Sequence, residues 1–109
     1  MELEGAIGAC MADSNSGMML GSIGDESINL ETAAVENTAV VRANRKAMRS
    51  LQLDDHIEDI LVTLNKQYHL IRLLASDGAL FMYLVIDKQR GNLALARRAL
   101  SAAEKSLVF

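Results

Sequence analysis

A chain of 109 residues has the length of one domain, and half of its residues are hydrophobic while 23% are charged. That balance excludes intrinsic disorder, which needs low hydrophobicity and high net charge; with a mean hydropathy of +0.15 it also leaves more apolar surface than a small monomer hides, so an oligomer is expected. A net charge of −3 excludes the basic footprint of a nucleic-acid binder, and the absence of proline excludes polyproline ligands and stiff Pro-rich linkers.

Residues 3–12 are small and apolar and end in Asp13-Ser14-Asn15-Ser16-Gly17. That cluster is turn chemistry, because Asp and Asn tolerate the left-handed region and Gly adopts it freely. Residues 18–23 form a second short apolar run, so the pair reads as a β-hairpin, broken afterwards by Gly24-Asp25-Glu26-Ser27. Asn29 has the chemistry of a helix N-cap, and Glu31 falls in the first turn, where the helix dipole favours an anion. From Leu30 onward, Ala33, Ala34, Val40, Val41, Ala47, Met48 and Leu51 recur at helical spacing, with Asn37 and Asn44 on the same stripe. Arg42, Arg45, Lys46 and Arg49 crowd the later turns.

After a polar connection at Leu53-Asp54-Asp55-His56, three apolar strands are predicted. Residues 57–65 alternate, with Ile60, Val62 and Leu64 on one face and Asp59, Leu61 and Thr63 on the other. Residues 68–75 follow a break at Lys66-Gln67, and Ser76-Asp77-Gly78 suits the positive φ angles of a tight hairpin. Residues 80–86 are apolar at every position, which places both faces under cover and the strand in the middle of a sheet. Asn92 can cap a last helix, along which Leu93, Ala96, Leu100, Ala103 and Leu107 form one narrow seam. The order strand, strand, helix, strand, strand, strand, helix is that of a single α+β domain over residues 1–109. It predicts a five-stranded antiparallel sheet with a long central helix on one face and a C-terminal helix on the other.

The residues offer little to catalysis. The two histidines, His56 and His69, are 13 residues apart and have no companion at metal-ligand spacing. His69 is expected to be a packed or satisfied side chain, and the single cysteine, Cys10, a small buried residue. No GxGxxG or P-loop is present to cradle a phosphate. The reading is therefore of a non-enzyme without catalytic residues, bound metal or cofactor. The N-terminus has no basic region ahead of an apolar stretch, and the longest apolar run, residues 79–86, falls far short of the ~20 residues of a membrane helix. A cytoplasmic location without membrane insertion is expected.

This order, with these residues, resembles the roadblock family, the roadblock-type dynein light chains and their bacterial relatives. The segment LDDHIEDILVTLNKQYHLIRLL is similar to the family's third strand, short turn and fourth strand, including a Tyr-His-Leu piece. FMYLVIDKQRGNLALARRAL is similar to its last strand and final helix, most closely across Asn92-Leu93-Ala94-Leu95-Ala96-Arg97. Members of the family usually begin with an amphipathic helix of about three turns, whereas only Met1 to Glu4 precede the first strand here. The sheet face that such a helix shares with the last helix is then half uncovered. Leu3, Ile7 and Met11 are expected either to stay exposed or to be covered by another chain.

The resemblance implies a roadblock/profilin-like fold and a homodimer or heterodimer. Third strands would pair edge to edge and the central helices would pack side by side. It implies partners among small Ras-like GTPases and related P-loop NTPases, regulated or tethered, with a GTPase-activating or adaptor role. On that basis the candidate dimer interface comprises Ala33, Asn37, Val40, Val41, Asn44, Met48, Ile60 and Val62. Asn37 and Asn44 would act as register devices, or else lie at the edge of the stripe in water. Arg42, Arg45, Lys46 and Arg49 are candidates to face an acidic partner, or else form a solvated face at the helix C-terminus. The alternative function is a small-molecule-sensing input domain that uses the half-covered sheet face.

Overall fold

The computed structural model describes residues 3–24, 28–75 and 78–106. Two strands, β1 (Ala6–Asp13) and β2 (Met19–Gly24), precede a long helix, α1 (Leu30–Ser50). Three more strands follow, β3 (Asp59–Thr63), β4 (Gln67–Leu73) and β5 (Leu80–Asp87), and then the last helix, α2 (Leu93–Ser106). The five strands form one antiparallel sheet in the order β2-β1-β5-β4-β3. This is the expected α+β architecture, with β5 in the middle and every residue from Leu80 to Ile86 buried.

Local chemistry explains the elements. At the hairpin, the Asp13 carboxylate accepts from the Asn15 N–H at 2.8 Å, and Gly17 takes a φ of +76° so that its N–H can reach the Asp13 carbonyl at 2.7 Å. The α1 helix starts at Asn29, whose side chain accepts from the Thr32 N–H at 3.0 Å. It ends in a Schellman motif: Gln52 donates to Arg49 and Leu53 to Met48, with Gln52 at a φ of +59°. Asn92 caps α2 through the Leu95 N–H at 3.1 Å. Boundaries differ from the sequence reading by one or two residues at several ends. β3 is shorter than residues 57–65 because Leu73 donates to the Glu58 carbonyl outside the regular ladder and Leu64 donates into the β3–β4 turn at Gln67. Residues 25–27, most of the Ser76-Asp77-Gly78 turn and Leu107 of the α2 seam lie outside the described residues.

Each sheet face carries its own core. On one face, Cys10, Ala12, Ile71, Leu73, Phe81, Tyr83 and Val85 pack with Ala34 and Val41 of α1. On the other, Leu70, Met82, Leu84 and Ile86 pack with Ala96 and Leu100 of α2. The α2 seam is pinned at its β3 and β4 side by two ion pairs: Arg97 grips both oxygens of Asp59, and Arg72 meets Glu104 at 2.7 Å. On the other flank the face is thinly covered: Leu3, Ala9 and Met11 are half-buried and Ile23 is 56% exposed. The expectation grouped Ile7 with Leu3 and Met11. Ile7 instead packs with the α1-side core, because the β1–β5 register slips between Ala6 and Gly8 and turns it over.

Candidate interaction surface

The β3 strand is the last in the sheet, so one side of its backbone pairs with β4 and, among the described residues, the other has no strand beside it. Alternation sends Ile60, Val62 and Leu64 to the α1 side. Ile60 is half-buried against the core, while Val62 and Leu64 keep 39% and 43% of their surface exposed. One flank of α1 carries Ala33, Asn37, Val40 and Asn44 at helical spacing. Ala33 and Val40 pack partly on the core, and Asn44 is exposed. Met48, one turn further, is half-buried. Val41 departs from the set, because it has no exposed surface and serves the core beneath the helix. Of the eight residues named from the sequence, Val41 is sealed under the helix and the other seven keep some exposed surface.

The two asparagines are not equivalent. Each donates its amide N–H to the carbonyl one turn back, Asn37 to Ala33 at 2.8 Å and Asn44 to Val40 at 3.0 Å. The Tyr83 hydroxyl meets His69 Nδ1 at 2.7 Å, and His69 Nε2 meets Gln67 Oε1 at 2.8 Å. A chain of polar groups thus joins β4 to β5, with the His69 and Tyr83 rings edge to face. Burial holds the His69 imidazole below the usual histidine value and pushes the Tyr83 phenol up. His69 is the satisfied side chain expected. The chain of partners around it was missed, although the two-residue spacing of Gln67 and His69 is the signal that places them on one face.

The basic cluster splits in two. Arg42 donates to the carbonyls of Ser14 and Asn15, and Arg45 to the Ser14 hydroxyl and the Gly78 carbonyl, so both clamp α1 to the loops at its end of the sheet. Lys46 and Arg49 remain as exposed cations. Arg45 and Arg49 also border an open groove of about 940 Å³ at the end of the sheet, together with Asp55, Glu58, Arg72 and Glu104. Cys10 is buried, and burial pushes its thiol up to about 11, so it stays protonated at neutral pH. His56 is exposed. Among the described residues there is no cluster of three His, Cys, Asp or Glu side chains able to hold a metal, and no helix is long and apolar enough to cross a membrane.

No protein-family model matches the sequence, and no curated protein matches it. Solved structures do. MglB of Myxococcus xanthus superposes with a TM-score of 0.80 at 17% identity, over 92% of this chain and 78% of that one. A Roadblock/LC7 domain from Streptomyces avermitilis gives a TM-score of 0.83 at 10% identity, over 96% and 84%. A structure of MglB with a tetrameric arrangement gives 0.78 at 16% identity, over 95% and 76%. At these identities the likeness is one of fold, and the strand order, the two helices on opposite faces and these superpositions agree: the chain has the roadblock fold.

Proposed function

We propose that this protein is a non-enzymatic regulator or scaffold that associates with itself and holds a small Ras-like GTPase or a related P-loop NTPase. The observation that carries the reading is the open β3 edge. Its five residues include no lysine or proline, its ladder with β4 has no bulge, and among the described residues no other strand caps it. Apolar edges left in this state pair with other chains unless something blunts them. A stable interface needs about 800 Å² from each partner, more than five strand residues supply. The α1 flank with Ala33, Asn37, Val40 and Asn44 would therefore close against its copy as well. The tetrameric arrangement of one MglB structure supports a fold that self-associates.

Such a dimer would act by shape. A sheet continuous through two subunits is stiff, and its paired helices offer a platform on which a partner's switch loops can be ordered, shifting the partner between nucleotide states. Activation would then use the partner's own catalytic groups, since Arg42 and Arg45 are committed to loop carbonyls. Cys10 and His69 are similarly occupied, Cys10 by burial and His69 by Gln67 and Tyr83. A cytoplasmic location belongs to the same reading. The small-molecule alternative draws less support, because the groove beside Arg45 and Arg49 is open and mixes charged residues with apolar ones, unlike the mostly apolar walls of a ligand cavity.

Two measurements test the proposal. Sedimentation velocity at micromolar concentration should show a dimer, and a monomer there removes the self-association. GTP hydrolysis by a GTPase recovered with the tagged protein should change when the protein is added back. Unchanged binding and turnover would remove the regulatory half of the reading.

A further inference from the structure

We infer that the sheet face between α2 and the β2 edge is a docking groove for an amphipathic helix of another protein, one whose apolar stripe is flanked by carboxylates. The groove lies across the sheet from β3, and its use does not depend on the association proposed above. The ion pairs of α2 fix which way its flanks point. Arg97 reaches Asp59 on β3 and Glu104 reaches Arg72 on β4, so the side of the helix that bears Arg97 and Glu104 faces the β3 edge. At the helical period a residue two positions away points about 200° round the axis. Leu95 and Ala99 stand in that relation to Arg97, and Ala102 to Glu104, so they face β1 and β2; all three are exposed, Leu95 at 48%.

The floor beneath that flank is apolar. Ala9 and Met11 pack only partly on the α2-side core, and cross-strand pairing sets Ile23 opposite Ala9 and Gly21 opposite Met11 on the same face. Ile23 is exposed, and a Cβ placed on Gly21 would meet nothing within 4 Å. β1 and β2 together span about 10 Å at the ordinary strand spacing, which is the width of one helix. An extended segment suits the site badly. The backbone groups of the floor are already paired within the sheet, so a strand laid across them would bury its own unpaired, whereas a helix satisfies its own.

Charge then separates a foreign helix from a second copy. The crest of α2, turned away from buried Ala96 and Leu100, carries Arg98 and Lys105, and among the described residues neither is in an ion pair. Two copies stacked face to face would set those cations on each other's apolar floor, out of water and unpaired. Two copies laid with their α2 flanks together would drive the β1 and β2 strands of each into the other, since both strands project beyond the helix. The floor strand offers the cations little: Glu4 stands exposed ahead of β1, and Asp13, its last residue, has Oδ1 taken by the Asn15 N–H. Carboxylates along the upper flank of a foreign helix would meet Arg98 and Lys105 at the rim, where charge selects the partner, while its apolar stripe covers Met11 and Ile23.

Fluorescence anisotropy of the full chain with two labelled synthetic peptides of about 18 residues tests this. Both are alanine-rich with leucine at every third or fourth position; one carries glutamate beside the leucine stripe and the other lysine. The glutamate peptide should bind at least about tenfold more tightly. The net charge of −3 by itself favours the lysine peptide, so that order reports the local site. Ala99→Glu, which charges the wall, should weaken the glutamate peptide by about tenfold or more. Arg98→Glu should remove the preference, and Val62→Lys at the far edge should leave it unchanged. Binding of neither peptide, equal binding of both, binding that survives Ala99→Glu or binding lost in Val62→Lys overturns the inference. So does a chain that takes up neither peptide while Ala99→Glu releases it from phosphatidylserine vesicles or from its own copies, because the occupant is then a membrane or a second chain. A monomer that prefers the glutamate peptide upholds the inference and removes self-association. Should Ala99→Glu fail to fold, Arg98→Glu on the exposed crest decides, and an unaltered preference overturns the inference.

Discussion

Glu104→Gln isolates one of the contacts that seat α2 on the sheet. The Glu104 carboxylate accepts from Arg72 Nε at 2.7 Å with one oxygen and from the Ala75 N–H at 2.7 Å with the other. The pair is neither a surface ion pair nor a buried one, with side-chain exposures of 24% for Arg72 and 13% for Glu104. Exposed pairs contribute at most about 1 kcal/mol, and hydrogen bonds to charged groups about 1.5–3 kcal/mol. Glutamine keeps one acceptor and loses the charge, and the Ala75 N–H is exposed enough to find water. A loss of about 1.5 kcal/mol is expected, or a fall in Tm of about 6 °C. The Ala75 N–H and Arg72 together hold the Glu104 carboxyl below its ordinary value of 4.5. A depressed carboxylate stabilises the fold above its unfolded pKa, and that contribution is lost as pH falls through the lower folded value. The difference between the two proteins should therefore be complete at neutral pH and shrink towards zero in acid. Urea unfolding at several pH values measures it, at one fixed protein concentration because association shifts the midpoint. Equal stabilities at neutral pH, or a difference that persists undiminished in acid, would refute the reasoning.

Other substitutions probe the edge, the helix and the backbone. Val62→Lys puts a charge on the open strand, where lysine is the usual guard against pairing; the dimer should weaken at least about tenfold by sedimentation, since about 1.4 kcal/mol suffices for that, with the monomer fold intact by circular dichroism. An unchanged Kd would take β3 out of the interface. Asn44→Leu removes an exposed amide that bonds only its own helix; it should raise Tm and broaden the distribution of oligomers, and unchanged melting with unchanged sedimentation would leave Asn44 no part in register. Gln52→Gly relieves a left-handed residue at the Schellman end of α1 and should stabilise by about 0.5–1 kcal/mol in urea unfolding. Gly5→Ala should do the reverse by more than about 2 kcal/mol, as its Cβ would lie 2.6 Å from the Gly91 backbone nitrogen at a φ of +81°.

Periodicity carried most of the architecture, because burial on one or both faces of an element leaves its mark on every second or every third to fourth residue. The run from Leu80 to Ile86 is apolar throughout because β5 is roofed by α1 and floored by α2. Asn29 and Asn92 announced both helix starts, since a cap bonds within its own first turn and needs no distant partner. What depends on contacts between elements was not written locally. Nothing in the order of residues shows that Arg42 and Arg45 reach loops more than 25 positions away. Nothing there shows that a slip in the β1–β5 register turns Ile7 to the α1 side. Spacing put Val40 and Val41 on one stripe, and only the approach of α1 to the sheet decided that Val41 is sealed while Val40 stays partly open. The Gln67–His69–Tyr83 chain likewise exists because the β4–β5 register sets two residues 14 positions apart on one face of the sheet. Alternation names the face of each residue; register and helix placement choose its partners, and those are set by the packing of the whole sheet.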